Sequence, residues 1–142
     1  TGREARAAGI PFGKIYDPVG DPVRRCCSLI PWAETQGKHL ELIRAFYQCA
    51  FVKGINTNNN RGLRKVVENA GLSWQEAKKR IGDPKGAKML ERNRLALLDA
   101  GIWGTPSFRL LDSNGAQILA LWGQDRLWRV ADEIQQQLAK MI

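Results

Sequence analysis

The apolar pattern of this chain changes once, at Gly101. Before that glycine, apolar residues recur mainly at the spacing of helices, and after it two short runs have the composition of strands. These runs cover residues 107–111 and 117–121, and Asp112-Ser113-Asn114-Gly115 lies between them. An Asn-Gly pair between such runs is a strong signal for a β-hairpin. The sequence therefore predicts a helical block followed by a hairpin.

Prolines, glycines and capping residues divide the rest of the chain into helices. Ser73-Trp74-Gln75-Glu76 has the form of a capping box, in which the serine and the glutamate each bond the other's amide. Residues 10–16 predict a strand, and because Pro11 and Gly13 interrupt it, that strand suits the edge of a sheet. No repeat or low-complexity linker is present, so a single domain is expected. Helices are predicted over residues 3–8, 22–36, 39–53, 60–70, 73–81, 83–100 and 127–138.

The composition is that of a globular domain with an excess of positive charge. The 142 residues are 44% apolar and 25% charged, which is enough for one hydrophobic core. The net charge is +8, but the basic residues are scattered at helical spacing, which favours solvated helix faces or a small anionic ligand over nucleic acid. No apolar run is long enough to span a membrane, and no signal-peptide pattern is visible. A cytoplasmic protein without membrane or nucleic-acid partners is expected.

The cysteines predict neither a disulfide nor a metal site. Cys26 and Cys27 are adjacent, Cys49 stands apart, and there is no Cys-x-x-Cys. Adjacent cysteines rarely pair with each other, because the geometry of such a bridge is strained. With His39 as its one histidine, the chain lacks ligands at the spacing of a metal site. Reduced, mostly buried thiols in a cytosolic protein are the expectation.

Two motifs in the last third of the chain are more specific than the helices. Gly101-Ile102-Trp103-Gly104-Thr105-Pro106-Ser107-Phe108 joins a helix end to a strand through a proline. Leu121-Trp122-Gly123-Gln124-Asp125-Arg126-Leu127 joins the hairpin to the last helix. Together they resemble the motifs of the 2-hydroxychromene-2-carboxylate isomerases and kappa-class glutathione transferases, a branch of the DsbA-like thioredoxin superfamily. Asn69-Ala70-Gly71-Leu72 and Leu90-Glu91-Arg92-Asn93 resemble weaker landmarks of that family, so the resemblance covers essentially the whole chain.

The resemblance implies an α/β (α+β) fold with a defined arrangement. It is an incomplete thioredoxin-like fold with a large helical insertion, a C-terminal β-hairpin and a final helix. Residues 1–142 would form one DsbA-like domain that is a fragment of the family's full fold. Within it, residues 22–100 correspond to the helical insertion, and residues 1–16 and 101–142 to the thioredoxin-like part.

The same resemblance implies which residues hold a ligand. Pro106 would follow a cis peptide bond, and the backbone of Thr105 would pair with an extended cysteinyl ligand as if a strand were added. Gln124 and Asp125 would contact the γ-glutamyl end of glutathione at a helix N-terminus, where free amides attract carboxylates. Trp103 and Trp122 would flank the same region.

These assignments have simpler alternatives. The proline motif alone also suits a trans proline at the start of a strand. Asp125 alone also suits a first-turn acid that stabilises its helix, and Arg126 suits an ion-pair partner of that acid or of another acid. Trp103 and Trp122 also suit core packing between the hairpin and the last helix, and for Trp122 core packing is favoured. Asn56, in a polar loop, is assigned to substrate contact because the family's helical insertion approaches the site there.

The reactive group of the family is not found in this chain. In the family it follows a first strand, and it is a serine in the isomerases and kappa transferases or a Cys-x-x-Cys in the disulfide oxidoreductases. Ser28, Ser107 and the cysteines do not match that position. The first strand is also central in the thioredoxin sheet, so its absence leaves backbone groups unpaired. A fragment of a longer protein is the favoured explanation, and a strand-swapped oligomer and a rearranged sheet are the alternatives.

The leading functional prediction is the glutathione-binding part of an isomerase or transferase similar to 2-hydroxychromene-2-carboxylate isomerase. Glutathione is the expected cofactor and a small-molecule thiol substrate the expected partner. The parent protein is expected to be an enzyme, and this chain alone is expected to be inactive. A thiol–disulfide oxidoreductase of the DsbA type and a non-catalytic interaction domain are the alternatives. The sequence names neither the electrophilic substrate nor the oligomeric state.

Overall fold

The computed structural model describes residues 2–140, and the chain divides into two compact units. One unit ends at Leu90 and the other begins at Glu91. Helices and one antiparallel hairpin build these units, which confirms the mixed fold class. The elements in chain order are α1 (Gly2–Ala7), α2 (Asp21–Cys27), α3 (Ile30–Thr35), α4 (His39–Tyr47), a π-helical turn (Gln48–Val52), α5 (Asn60–Asn69), α6 (Trp74–Lys78), α7 (Pro84–Asp99), β1 (Ser107–Leu111), β2 (Gln117–Trp122), a 3₁₀ turn (Gln124–Arg126) and α8 (Leu127–Ala139).

The core of the first unit is built mainly by α4 and α5. The α5 helix buries Leu63, Val66 and Val67, whose spacing of three and four residues puts them on one face. The α4 helix buries Leu42 and Phe46. The other buried residues complete this core: Cys26, Leu29, Ala33, Ala45, Cys49, Ala70, Leu72 and Ala77.

The single helix predicted over residues 22–36 is instead two helices, α2 and α3. Pro31 lies in the first turn of α3, where proline is tolerated, and it cannot lie in the interior of a longer helix because it lacks an N–H and its ring clashes with the preceding turn. Ser28 stabilises the break. Its hydroxyl donates to the Arg25 carbonyl oxygen at 2.7 Å and accepts from the Gly82 N–H at 3.0 Å.

The strand predicted over residues 10–16 is wrong. Within that segment of the described chain, the β pairing consists of one isolated parallel bridge, from Lys14 to Lys53. Pro11 has no N–H to donate to a strand ladder. The segment takes its backbone partners from the end of a helix, so no continuous ladder forms.

That helix end is the π-helical turn Gln48–Val52, which continues α4. The Gly13 N–H donates to the Phe51 carbonyl oxygen at 3.0 Å, and the Tyr16 N–H donates to the Ala50 carbonyl oxygen at 2.9 Å. A side chain at position 13 would collide with the backbone of the turn, so glycine is required there. The turn and the segment are therefore fixed against each other through their backbones.

The hairpin of the second unit confirms the predicted turn chemistry. β1 and β2 pair antiparallel, with a register shift next to the turn. The Asp112 carboxylate accepts hydrogen bonds from the N–H groups of Asn114 and Ala116, at 2.9 and 2.8 Å. Gly115 has φ +83°, a conformation that side chains other than glycine rarely adopt.

The second unit buries little of its apolar surface. Within residues 91–140, only Ala100 and Leu121 are buried. In the described residues β1 pairs with β2 alone, so the backbone groups along the other edge of β1 have no strand partner. Large apolar side chains are exposed on its helices and hairpin: Leu95, Leu98, Trp103, Leu111, Trp122, Leu127, Trp128, Ile134 and Leu138.

Within residues 2–140, no helix is long and apolar enough to cross a membrane. No three His, Cys, Asp or Glu side chains of this part of the chain group closely enough to hold a metal ion. The assignment of residues 1–142 to one domain with a helical insertion stays a prediction.

Replacing Ser28 with alanine should lower the free energy of unfolding by about 1–2 kcal/mol, because the substitution leaves a part-buried carbonyl and amide without their partner. Urea unfolding followed by far-UV circular dichroism measures the change. Ser113→Ala, in the exposed hairpin turn, is the control and should change stability by less than about 0.5 kcal/mol. Equal effects of the two substitutions would show that Ser28 does not stabilise the break.

Candidate functional site

The Gly104-Thr105-Pro106 turn leads from the end of α7 into β1. The Thr105–Pro106 peptide bond is cis, and both side chains are exposed. The Ser107 hydroxyl donates to the Gly104 carbonyl oxygen within this turn. Among the backbone hydrogen bonds of residues 2–140, none uses the N–H or C=O of Thr105. Thr105 therefore has a backbone donor and a backbone acceptor available for another molecule.

A second turn begins at Gly123 and is joined to the first by one backbone hydrogen bond. The Gly123 N–H donates to the Pro106 carbonyl oxygen at 3.0 Å. Gln124 and Asp125 follow at once, and both side chains are exposed. The structure thus brings four of the predicted site residues to one end of the hairpin: Thr105, Pro106, Gln124 and Asp125.

The helix N-terminus predicted at this point is a 3₁₀ turn, and α8 itself starts at Leu127. In the described chain the N–H groups of Gln124 and Asp125 donate to no backbone carbonyl, as is usual in the first turn of a helix. The ion pairs of residues 2–140 do not include Arg126, with Asp125 or with another acid, so the ion-pair alternative for Arg126 is wrong. The turn therefore has free amides next to an exposed carboxylate.

Trp103 and Trp122 form an exposed aromatic pair at the same end of the hairpin. Their ring centroids are 4.7 Å apart, with 36° between the ring planes. Trp103 is 74% exposed and Trp122 is 41% exposed. Core packing, the favoured alternative for Trp122, is therefore wrong.

Two glycines shape this site, and neither was among the predicted ligand-binding residues. A Cβ at Gly104 would collide with the indole of Trp122, and a Cβ at Gly123 would collide with the Asp125 carboxylate. Gly123 also has φ +107°, which favours glycine. Their positions inside the two motifs were the available signal.

Asn56 lies in the first unit, in the loop before α5. Its side-chain oxygen accepts from the Asn58 N–H at 2.9 Å, and its carbonyl faces Gly62, where a Cβ would collide with it. Both contacts shape the loop itself. A role for Asn56 in ligand binding stays a prediction.

The order of elements and the paired turns can be compared with known proteins. A family model described as a DSBA-like thioredoxin domain matches residues 3–135. The chain belongs to the DSBA-like thioredoxin domain family. This confirms the superfamily that the two motifs indicated.

A solved structure of 2-hydroxychromene-2-carboxylate isomerase, in its selenomethionine form, resembles the DSBA-like chain with a TM-score of 0.71. The two sequences are 19% identical, and the match covers 99% of this chain and 66% of the isomerase chain. At this identity the likeness shows a shared fold. No curated protein sequence matches the chain.

The cysteines of the DSBA-like chain are free thiols in the first unit. Burial raises the pKa of Cys26 far above its ordinary value, and the neighbouring thiols Cys27 and Cys49 raise it further. Burial also raises the pKa of Cys27 and of Cys49, and for Cys49 the Lys53 charge offsets part of the effect. Because the thiolate is the reactive form, all three are poor nucleophiles near neutral pH.

Substituting Gly104 with alanine should separate the two indoles, because the new methyl group occupies the space of the Trp122 ring. The loss of the exciton signal of a stacked tryptophan pair in far-UV circular dichroism would report the separation. Trp103→Phe should remove the same signal, whereas Trp128→Phe, another exposed tryptophan of the second unit, should leave it in place. A Gly104→Ala variant with an unchanged signal would contradict the predicted contact.

The thiols of the native chain should react slowly with iodoacetamide at about pH 7.5, because a raised pKa lowers the thiolate fraction there. The rate should climb as the pH rises above the ordinary thiol pKa and continue to climb beyond it. Mass spectrometry of labelled peptides measures each site, with the chain in urea as the unfolded reference. Any cysteine that reacts faster in the native than in the unfolded chain at neutral pH would contradict this expectation.

Proposed function

We propose that this chain forms the ligand-holding half of a glutathione-dependent isomerase or transferase of the DSBA-like family. The observation that carries the proposal is the hydrogen bond from the Gly123 N–H to the Pro106 carbonyl oxygen. It puts the free backbone groups of Thr105 beside the free amides and the carboxylate of the Gln124-Asp125 turn. A peptide with a thiol in its middle and charged groups at one end matches that set.

The Thr105 end of the site suits the cysteinyl part of glutathione. Because Thr105 keeps one donor and one acceptor, an extended peptide can form two backbone hydrogen bonds with it, as in the addition of a β-strand. Such pairing fixes the direction of the ligand backbone and therefore the position of its side chain.

The Gln124-Asp125 end suits the γ-glutamyl part. The exposed Asp125 carboxylate is the group that attracts an ammonium, and the amides at the start of the 3₁₀ turn attract a carboxylate. An amino acid zwitterion carries both charges within one residue. The two ends together therefore favour a γ-glutamyl peptide over a simple thiol.

The aromatic pair supplies an apolar surface next to these polar groups. Trp103 leaves most of its ring open to solvent while Trp122 holds it from one side. A flat electrophile can stack there and displace water from the space beside the thiol.

Bound glutathione would supply a thiol of lowered pKa as the nucleophile. The described residues hold and orient the peptide. The cysteines of the chain stay protonated near neutral pH, which weighs against thiol–disulfide exchange by this chain itself.

We extend the proposal to the source of the missing reactive group. The free edge of β1 and the exposed apolar side chains around it suit a further strand and helix that complete the sheet and bring the reactive serine or cysteine pair. Such a segment would lie outside residues 2–140.

Glutathione added to the isotope-labelled chain should shift the amide NMR signals of Trp103, Thr105, Gly123, Gln124 and Asp125. Asp125→Asn should weaken binding about three- to tenfold, since it removes one charge-assisted hydrogen bond at an exposed site. Asp132→Asn, farther along α8, is the matched control and should leave the affinity unchanged. Binding that shifts none of these signals, or that is indifferent to Asp125→Asn, would rule out the proposed site.

A further inference from the structure

The tip of the hairpin carries a reactive pair of residues that the proposed glutathione site does not use. Asn114 is followed by Gly115, and no other asparagine of the sequence precedes a glycine. An asparagine amide is a thermally labile group, because the backbone nitrogen of the next residue can attack it. A glycine in that next position has no Cβ to obstruct the approach. Asn114 is therefore the asparagine of this chain whose amide is most open to attack.

Both reacting groups lie on the surface of the second unit. Asn114 and Gly115 are exposed, as are Asp112 and Ser113 before them. The Asn114 N–H is bonded to the Asp112 carboxylate, but in the part of the chain that the structure describes no hydrogen bond holds the side-chain amide of Asn114. That amide can rotate toward the Gly115 nitrogen, and water has access to the product.

Hydrogen bonds oppose the reaction while the turn is closed. The Gly115 N–H, whose nitrogen would have to react, donates to the Asp112 carbonyl oxygen at 3.0 Å. The Asp112 carboxylate accepts from the N–H groups of Asn114 and Ala116, at 2.9 and 2.8 Å. A backbone N–H held in a hydrogen bond gives up its proton only when the structure around it opens. The reaction at Asn114 therefore requires the turn to open.

The unit that contains this turn has little packing to keep it closed. Within residues 91–140, only Ala100 and Leu121 are buried, and the sheet of the described chain consists of β1 and β2 alone. A two-stranded hairpin by itself is marginally stable in water. Segments with few buried contacts open at a low cost in free energy. Open forms of the turn are therefore available to the reaction.

We propose that Asn114 is a site of spontaneous deamidation, and that opening of the turn held by Asp112 sets its rate. The Gly115 nitrogen gives up its proton to solvent and forms a bond to the side-chain carbonyl carbon of Asn114. The bond from that carbon to the amide nitrogen breaks, and this nitrogen takes up a proton and leaves as ammonia. Water then opens the cyclic imide at either of its carbonyl carbons, which yields aspartate or isoaspartate at position 114.

The product changes the turn in charge and in length. A carboxylate at position 114 adds a negative charge close to the Asp112 carboxylate, which bonds the N–H of the same residue, and the two charges repel each other. Isoaspartate also adds one carbon atom to the main chain, which displaces the N–H groups that Asp112 binds. The modification therefore loosens the end of the hairpin that lies away from Thr105 and Pro106.

Incubation of the 142-residue chain at mildly alkaline pH, followed by peptide mass spectrometry, tests the site. Conversion of amide to acid should appear first at Asn114. Asn93, in α7 of the same unit and followed by Arg94, is the internal reference and should convert far more slowly. Asn114→Gln is the control variant and should keep its amide, because the longer side chain would have to form a larger and less favourable ring.

Two substitutions of Asp112 test the role of the turn. Asp112→Ala should raise the rate at Asn114 about three- to tenfold, because it removes two hydrogen bonds that hold the turn closed. Asp112→Asn keeps an oxygen acceptor and should react at nearly the rate of the unaltered chain. The proposal is overturned if the unaltered chain forms no product at Asn114, if Asn93 converts as fast, or if Asp112→Ala reacts no faster than Asp112→Asn. None of these outcomes bears on glutathione binding, which is measured at the other end of the hairpin.

Discussion

The hydrogen bond from Gly123 to Pro106 sets the arrangement of the second unit at its functional end. It extends the pairing of β1 and β2 by one step beyond the strands, so the two connecting turns are brought together where the hairpin opens. The glycine at each turn is part of the same constraint, because Gly104 leaves space for an indole and Gly123 leaves space for a carboxylate. A Cβ at Gly104 would have to displace the Trp122 indole, and the positive φ of Gly123 disfavours a larger residue there. The arrangement of the ligand-holding groups thus depends on one backbone hydrogen bond and on two glycines.

Backbone hydrogen bonds between distant parts of the chain also determine the local structure of the first unit. The last carbonyls of a helix have no partner within it, and here those of Ala50 and Phe51 accept from the segment that includes Gly13 and Tyr16. The segment satisfies its own N–H groups in the same way and so does not become a strand. The strand prediction was wrong because these N–H groups find their acceptors at the end of a helix rather than in a neighbouring strand.

Local signals decided what the sequence could predict. The Asn-Gly turn, the Ser73 cap and the glycine that ends α5 each act within a few residues, and each is found where it was expected. The return half of the capping box does not form, because the Glu76 carboxylate pairs with Lys79. The break between α2 and α3 was missed because it combines Pro31 with a contact from Ser28 to an amide far along the chain. The π-helical turn was missed for a similar reason, since its carbonyls are bonded by residues from a distant segment.

The candidate site was likewise predicted only in part from local sequence signals. The two motifs predicted its residues, because turn and strand preferences depend on residues that are adjacent in the sequence. The exposure of Trp122 depends on what covers the hairpin, and that is a property of the assembled unit rather than of its sequence. The near absence of buried side chains in residues 91–140 also has a thermodynamic consequence. Whatever covers the free edge of β1 and the exposed leucines of α8 binds only the ordered form of this unit, so by mass action it stabilises that form in proportion to the logarithm of its concentration. The melting temperature of the second unit therefore depends on the concentration of whatever binds it. The first unit, in contrast, has a hydrophobic core of its own.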